Sequence, residues 1–144
     1  MKAVVQRALN AKCIIDGKTV GKIDNGLMVL VSFTEGDTIE EIKYMCKKIV
    51  NLRIFDDENG IMNKSVIDVG GSILSISQFT LYADCSNGNR PSYINALGGD
   101  KALPLYKMFN DELREFVHVE EGEFGADMKI DFTNDGPVTI ILER

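Results

Sequence analysis

The chain has 144 residues and a mass of 16.0 kDa, which is enough for one hydrophobic core but too little for two. Hydrophobic residues make up 44% and charged residues 26%, a balance that excludes a disordered protein and predicts one globular domain over residues 1–144. The net charge of −6 argues against a surface that coats nucleic acid broadly, since such binding neutralises phosphates with lysine and arginine. It leaves open an RNA ligand held at one end in a pocket.

Cysteines, histidine and apolar runs exclude further classes. The cysteines form no Cys-x-x-Cys pair, so neither a disulfide framework nor a zinc cluster is expected. His118 is the only histidine, and we interpret it as a residue at the surface or at a helix end rather than as part of a Ser-His-Asp triad. The longest apolar run, Leu27–Val31, is far below the roughly 20 residues that span a bilayer, and residues 1–7 lack the apolar stretch of a signal peptide. We therefore expect a cytoplasmic protein.

Strands are predicted where apolar residues alternate with polar ones or form short runs between turn residues. These segments are, in chain order, residues 2–8, 12–15, 19–23, 26–33, 53–55, 72–82, 128–133 and 138–142. The run 26–33 is rich in valine and leucine and predicts a strand buried on both faces. Asp16-Gly17 and Asn134 to Pro137 are predicted as hairpin turns, because these residue types favour the backbone angles of tight turns.

Two helices are predicted from apolar residues at helical spacing. Thr38 and Glu41 have the spacing of a capping box and begin a helix whose apolar stripe extends to Val50. A second helix covers about residues 101–117, with Pro104 in its first turn, where a missing N–H is tolerated. Two helices with seven or eight hairpin-connected strands predict an α+β fold with antiparallel sheets.

The only basic concentration lies in and after the first predicted helix. It consists of Lys43, Lys47, Lys48, Arg53 and Lys64. Its spacing favours a solvated helix face over a binding surface.

Two polar segments resist a purely structural interpretation. Ser77-Gln78-Phe79-Thr80 places three polar residues near the end of a predicted strand, either as an ordinary polar strand end or as one that faces a cleft. Asn134 to Pro137 is either a simple turn or the site of a cis Gly136-Pro137 bond, which would aim two successive carbonyl oxygens in an unusual direction.

These two segments resemble the signature motifs of the D-aminoacyl-tRNA deacylase family, also described as D-tyrosyl-tRNA deacylases. The resemblance extends over nearly the whole chain, through short fragments in the same order. The fragments are Val4-Val5-Gln6-Arg7, Leu52-Arg53-Ile54-Phe55, Met62-Asn63, Gly88-Asn89-Arg90-Pro91-Ser92, Leu105-Tyr106 and Gly122 to Met128.

The resemblance implies a homodimer of small, barrel-like antiparallel subunits with helices packed outside, acting without a metal or organic cofactor. It implies hydrolysis of the ester between a D-amino acid, or mischarged glycine, and the terminal adenosine of tRNA. Carried over residue by residue, the catalytic segment is Ser77, Gln78, Phe79 and Thr80. The substrate-binding residues are Arg7, Ala102, Phe124, Gly125, Met128, Gly136 and Pro137.

Chiral selection is assigned by the resemblance to a loop from the partner subunit. In the family the Gly-Pro bond is cis and reaches into the partner's site, so the Gly136 and Pro137 carbonyls would exclude an L side chain. Arg7 would brace that loop, and the Ala102 carbonyl would accept a hydrogen bond from the substrate ammonium.

Catalysis is assigned by the resemblance to backbone amides near Phe79 and Thr80, which would stabilise the oxyanion of the transition state. Two routes stay open, one assisted by the ribose 2′-hydroxyl of the substrate and one with Thr80 as a covalent nucleophile. Adenine would lie against Phe124, Gly125 and Met128.

Two other functions are compatible with the same fold. One is a non-catalytic module that binds an RNA end or a nucleotide, which we expect to lack Gln78, Thr80 or the Gly-Pro pair. The other is an editing hydrolase for an L-amino acid, which needs the Gly-Pro gate opened. All of these residues are present in the chain, and this favours the deacylase.

Overall fold

The computed structural model describes residues 1–144 and contains seven strands, two α-helices and one 3-10 helix. In chain order the elements are β1 (Lys2–Ile15), β2 (Lys18–Ser32), α1 (Ile39–Val50), β3 (Phe55–Asp56), β4 (Met62–Lys64), β5 (Ser72–Ser77), the 3-10 helix (Phe79–Tyr82), α2 (Gly99–Arg114), β6 (Val119–Glu121) and β7 (Lys129–Glu143). Neither α-helix has the length and hydrophobicity that crossing a bilayer requires.

Five strands form one sheet in the order β6-β5-β2-β1-β7, and β3 pairs with β4 in a separate small sheet. The predicted α+β class and the two helices are confirmed, but the large sheet is mixed rather than wholly antiparallel. β1 pairs antiparallel with β2 and β7, whereas β5 pairs parallel with β2 and β6. The parallel pairs follow from the connections, because α1 joins β2 to β5 and α2 joins β5 to β6. The sheet is open, so the barrel-like description holds only loosely.

The N-terminal strands are longer than predicted. Residues 2–8 and 12–15 belong to one strand, β1, which passes through Asn10 at a positive φ of 52°. The predicted turn at Asp16-Gly17 is confirmed and joins β1 to β2. Residues 19–23 and 26–33 likewise merge into β2, whose second half is buried as predicted.

The predicted hairpin turn at residues 134–137 is wrong. Residues 129–143 form one strand, β7, both halves of which pair with β1. Asn134 lies opposite Ala8 and Thr139 lies opposite Gln6, so residues 135–138 bulge out of the ladder. The turn-forming residues therefore interrupt a strand instead of reversing its direction.

Several element boundaries also differ from the prediction. The strand predicted over 72–82 ends at Ser77 and continues as the 3-10 helix, and the one predicted over 53–55 is shifted to Phe55–Asp56. α2 begins two residues earlier and ends at Arg114, which leaves Phe116 outside the helix and 41% exposed. The short strands β4 and β6 were not predicted.

The helices pack on one face of the sheet. The larger core cluster of 21 buried residues contains the buried stripes of both α1 and α2. The capping box of α1 is present, and hydrogen bonds from Thr38 hold the pKa of the Glu41 carboxyl below its ordinary value. A second cluster of seven buried residues belongs to β1, β2 and β5 alone, on the opposite face.

Candidate active-site cleft

A cleft of about 550 Å³ opens where the adjacent ends of β2 and β5 meet the first turn of α2. The segment from Phe124 to Met128 closes its other side. Its lining is Val31, Ser32, Phe33, Ile76, Ser77, Gln78, Phe79, Tyr93, Ala96, Leu97, Gly98, Gly99, Ala102, Phe124, Gly125, Ala126, Asp127, Met128 and Ile130. β2 and β5 end together because they pair in parallel, with Val31 opposite Ser77.

The cleft brings together most, but not all, of the site residues predicted from the sequence. Seven of them line it: Ser77, Gln78, Phe79, Ala102, Phe124, Gly125 and Met128. Thr80 lies one residue beyond the lining, and its hydroxyl accepts a hydrogen bond from the Gln78 side-chain amide. Arg7, Gly136 and Pro137 are not part of this cleft.

The backbone at the end of β5 leaves two amide groups available. Gln78 continues the ladder by donating its N–H to the Val31 carbonyl at 2.8 Å. The first bond of the 3-10 helix runs from the Leu81 N–H to the Gln78 carbonyl at 3.2 Å. Phe79 and Thr80 precede that donor, so their N–H groups have no partner within the helix. Two neighbouring donors at a cleft suit an anionic oxygen.

The segment from Gly122 to Met128 is fixed to β5 and α2. The Ser75 carbonyl accepts hydrogen bonds from the Gly122 N–H at 3.1 Å and from the Tyr106 hydroxyl at 2.8 Å. The Phe124 ring packs against the Tyr106 ring with centroids 5.8 Å apart. This arrangement connects the wall of the cleft to the strand that carries the Ser77–Thr80 segment.

The cleft also contains an aromatic side chain, that of Tyr93, which the sequence analysis missed. Tyr93 contacts Phe79 edge to face, with ring centroids 5.0 Å apart. Phe79 is 57% exposed and Tyr93 is 40% exposed. Tyr93 follows the Pro91-Ser92 fragment directly, and that position next to a family motif is the signal that could have identified it.

Arg7 holds the bulge of β7, which is the edge strand of the sheet opposite β6. Its side chain is buried, and its Nε donates to the Asp135 carbonyl at 3.1 Å. Its Nη1 donates to the Ile54 carbonyl at 2.9 Å. The Gly136-Pro137 bond is cis, and both residues are exposed. The contact expected between Arg7 and this loop is therefore present, away from the cleft.

No charged triad accompanies the cleft. His118 is exposed and lies 2.8 Å from the Glu120 carboxylate, as expected for a surface residue. Burial raises the pKa of the Cys13 and Cys46 thiols, which keeps them from acting as thiolate nucleophiles. No group of three or more histidine, cysteine, aspartate or glutamate side chains is placed to hold a metal ion.

Comparison with known proteins assigns the family. A family model described as D-Tyr-tRNA(Tyr) deacylase matches residues 4–143. The chain belongs to this family. D-aminoacyl-tRNA deacylases of Clostridium novyi (strain NT) and Clostridium botulinum (strain Okra / Type B1) are each 54% identical to it over 144 residues, covering 99% of this chain and 97% of the relative. The predicted resemblance is thereby confirmed.

Two solved structures share the fold of this D-Tyr-tRNA(Tyr) deacylase family member. One is described as c-Myc DNA Unwinding Element Binding Protein and superposes with a TM-score of 0.95 at 40% identity, covering 100% of this chain and 99% of that one. The other is described as a probable eukaryotic D-amino acid tRNA deacylase, with a TM-score of 0.83 at 17% identity and coverage of 98% and 97%. At that lower identity the likeness concerns the fold alone.

Proposed function

We propose that this protein hydrolyses the ester between a D-amino acid, or glycine, and the 3′-terminal adenosine of tRNA, releasing free tRNA. The observation that carries the proposal is the cleft, in which the Ser77–Phe79 segment and the Phe124–Met128 segment face each other in a chain that belongs to the deacylase family over residues 4–143. Because aminoacyl-tRNA is used in translation, we propose the cytoplasm as its place of action.

Charge stabilisation by backbone groups supports the hydrolytic step. Attack of water on the ester carbonyl places negative charge on the carbonyl oxygen, and the Phe79 and Thr80 N–H groups are donors without a helix partner. Phe124 and Met128 offer apolar contact to the adenine, and Gly125 offers backbone polar groups. A hydrogen bond from the substrate ammonium to the Ala102 carbonyl stays a prediction.

The 2′-hydroxyl of the substrate is the favoured proton acceptor or relay. Thr80 as a nucleophile would need a neighbouring base, and the group that contacts its hydroxyl is the Gln78 side-chain NH2, which donates a hydrogen bond and is not basic. A ribose hydroxyl next to the scissile ester is already in place when the adenosine binds.

The separation of the two halves of the predicted site supports a homodimer. Gly136, Pro137 and Arg7 lie at the bulge of β7, outside the cleft of their own chain. A second subunit that presents its bulge to this cleft completes the site. The Gly136 and Pro137 carbonyls then occupy the position of an L side chain, whereas a D side chain points away and glycine has none.

The test compares deacylation of D-tyrosyl-tRNA, L-tyrosyl-tRNA and glycyl-tRNA by the purified protein. We expect turnover of the D and glycyl substrates and rejection of the L substrate. Turnover of the L substrate alone would instead indicate an L-editing hydrolase. The Thr80→Ala variant should retain substantial activity, while a substrate with a 2′-deoxy terminal adenosine should not react; the reverse pattern would identify Thr80 as the nucleophile.

A binding module without catalysis is the second candidate. The description of the relative at 40% identity as a DNA-element binding protein favours it. Binding of tRNA or DNA without any turnover of the three substrates would support this candidate and contradict the hydrolase.

A further inference from the structure

Half of the cationic side chains form ion pairs, and most of the others lie on or near α1. The chain has 16 lysines and arginines. Those within 4.0 Å of a carboxylate are Lys2, Arg7, Lys12, Lys22, Lys64, Lys101, Arg114 and Lys129. Most of the remaining cations lie on α1, shortly after it, or against it: Lys43, Lys47, Lys48, Arg53 and Arg144.

The solvent-facing side of α1 combines three of these lysines with an aromatic ring. We call Lys43, Tyr44, Lys47, Lys48 and the adjacent Arg144 the α1 basic face. The lysines are exposed, and Tyr44 is 46% exposed. The Lys48 Nζ lies 6.0 Å and the Arg144 guanidinium 4.5 Å from the centroid of the Tyr44 ring.

The acidic neighbours offset the positive charge of this face only in part, since Glu41 attracts Arg144. Glu40 lies in the first turn of α1, three residues before Lys43 and about two helix turns before Lys47 and Lys48. Glu41 is occupied by the Thr38 hydroxyl and backbone N–H in the capping box. No ion pair within 4.0 Å joins Lys43, Lys47 or Lys48 to a carboxylate.

Stabilisation of the helix explains only part of the pattern. Lys47 and Lys48 occupy the last turn, where cations interact favourably with the helix dipole. Lys43 lies before that turn, and Arg144 comes from outside the helix, so neither gains from that effect. Several unpaired cations around an exposed ring, on a protein with a net charge of −6, are suited to a polyanion that also offers rings or sugars for contact.

We propose that the α1 basic face binds the phosphate backbone of the tRNA substrate beyond its 3′-terminal adenosine. This inference rests on the proposed function. Phe33 lines the cleft, and α1 begins six residues later, so the face lies along a helix of about 18 Å that starts near the cleft margin. A terminal nucleotide seated in the cleft does not extend over that length, whereas the following nucleotides of the acceptor end do.

The test compares two triple variants that change the net charge equally. In one, Lys43, Lys47 and Lys48 are each replaced by glutamine; in the control, Lys18, Lys22 and Lys107, which are exposed elsewhere on the surface, are replaced in the same way. The kcat and KM for D-tyrosyl-tRNA are measured from about 50 to about 200 mM salt. The same constants are measured for a D-tyrosyl ester of adenosine, which lacks the rest of the tRNA.

We expect the α1 variant to raise KM for D-tyrosyl-tRNA about tenfold at the lowest salt, with kcat unchanged. The slope of log KM against log salt concentration should decrease by roughly two, since each phosphate contact contributes about 0.7–0.9 to that slope. Neither variant should alter hydrolysis of the short ester. Equal KM and equal salt slopes for the α1 variant and the control would overturn the proposal, and so would an equal loss on the short ester.

Binding of uncharged tRNA separates this proposal from the hydrolase. If the wild-type protein hydrolyses none of the substrates, the proposed function fails, while a salt-dependent loss of tRNA affinity in the α1 variant alone still supports the face. An equal loss of affinity for duplex DNA of matched length would show a surface for any polyphosphate and would overturn the assignment to tRNA. Circular dichroism melting establishes that both variants are folded.

Discussion

A buried hydroxyl connects the core to the wall of the cleft. The Tyr106 side chain is 3% exposed, and burial raises the pKa of its hydroxyl, so it remains a neutral donor. It shares the Ser75 carbonyl with the Gly122 N–H, and its ring supports Phe124. One side chain of α2 thus holds together β5 and the segment that we assign to the adenosine.

Replacement of Tyr106 by phenylalanine removes this hydrogen bond and keeps the ring. We expect the free energy of unfolding to fall by about 1 kcal/mol, because the Ser75 carbonyl loses one of two buried donors. Denaturant unfolding at fixed protein concentration measures the change. Tyr44→Phe is the matched control, since its ring is half exposed, and we expect it to be neutral. Equal stability of the two variants would contradict the role of the Tyr106 hydroxyl.

The sequence predicted the contents of the cleft better than its boundaries. Ser77, Gln78 and Phe124 could be identified because motif residues retain their order and spacing in the chain. Tyr93 was missed because its contact with Phe79 joins residues that are 14 positions apart, and no local pattern encodes such a contact. The contact of Arg7 with the β7 bulge was predicted only through the family resemblance, because local spacing cannot relate residues that are 128 positions apart.

At the scale of elements, the parallel pairing of β2 with β5 depends on one glycine. Gly26 has a φ of +148° and lies opposite Ser72 at the start of the parallel ladder. A Cβ atom at this position would lie 1.8 Å from the Ser72 carbonyl oxygen. β2 and β5, whose far ends form the cleft, therefore approach each other at a position that only glycine fits.

Gly26→Ala tests this close approach. We expect the free energy of unfolding to fall by about 3 kcal/mol or more, because the new methyl group meets backbone atoms that cannot move aside without breaking the ladder. Gly17→Ala is the matched control, since Gly17 also has a positive φ, +75°, but no atom within 4 Å of the added Cβ. Gly17→Ala should lower the free energy of unfolding by only about 1–2 kcal/mol, because alanine is strained at a positive φ. Similar midpoints of thermal unfolding for both variants would contradict the expected clash.

Local signals explain which elements were predictable. The bounds of α1 were predicted almost to the residue, because its capping box and its apolar stripe are both formed by residues close together in the sequence. The Phe79–Tyr82 turn was predicted as strand, since its residues are β-prone and its 3-10 conformation depends on tertiary packing. β6 has only three residues and is defined by pairing with β5, so no periodicity could indicate it.

At the scale of the whole molecule, the two halves of the proposed site lie on different parts of one sheet. The cleft lies at the ends of β2 and β5, whereas the bulge of residues 135–138 belongs to β7, at the sheet edge beyond β1. In a two-fold symmetric dimer, each contact between cleft and bulge occurs twice. The proposed dimer should therefore contain two sites, each with one half from each subunit.

Complementation between two defective subunits tests this arrangement. Phe124→Ala damages the cleft, and Arg7→Lys damages the support of the bulge, because the single nitrogen of lysine replaces the two guanidinium nitrogens that reach the Asp135 and Ile54 carbonyls. We expect each homodimer to be impaired. A heterodimer purified through two different affinity tags should recover about half of the wild-type activity, since one of its two sites is intact. Absence of recovery, with a mass near 32 kDa by light scattering, would contradict the cross-subunit site.

The two helices leave one face of the sheet without a helix packed on it. α1 and α2 cover one face of the sheet, while the seven-residue cluster on the other face is made by strands alone, with Met128, Ile130 and Phe132 only partly buried at its margin. A single subunit thus exposes apolar side chains to the solvent, which the proposed dimer could cover. If the proposed dimer covers this face, substitutions that weaken it should first cause poor solubility and aggregation during expression, before any loss of activity is measurable.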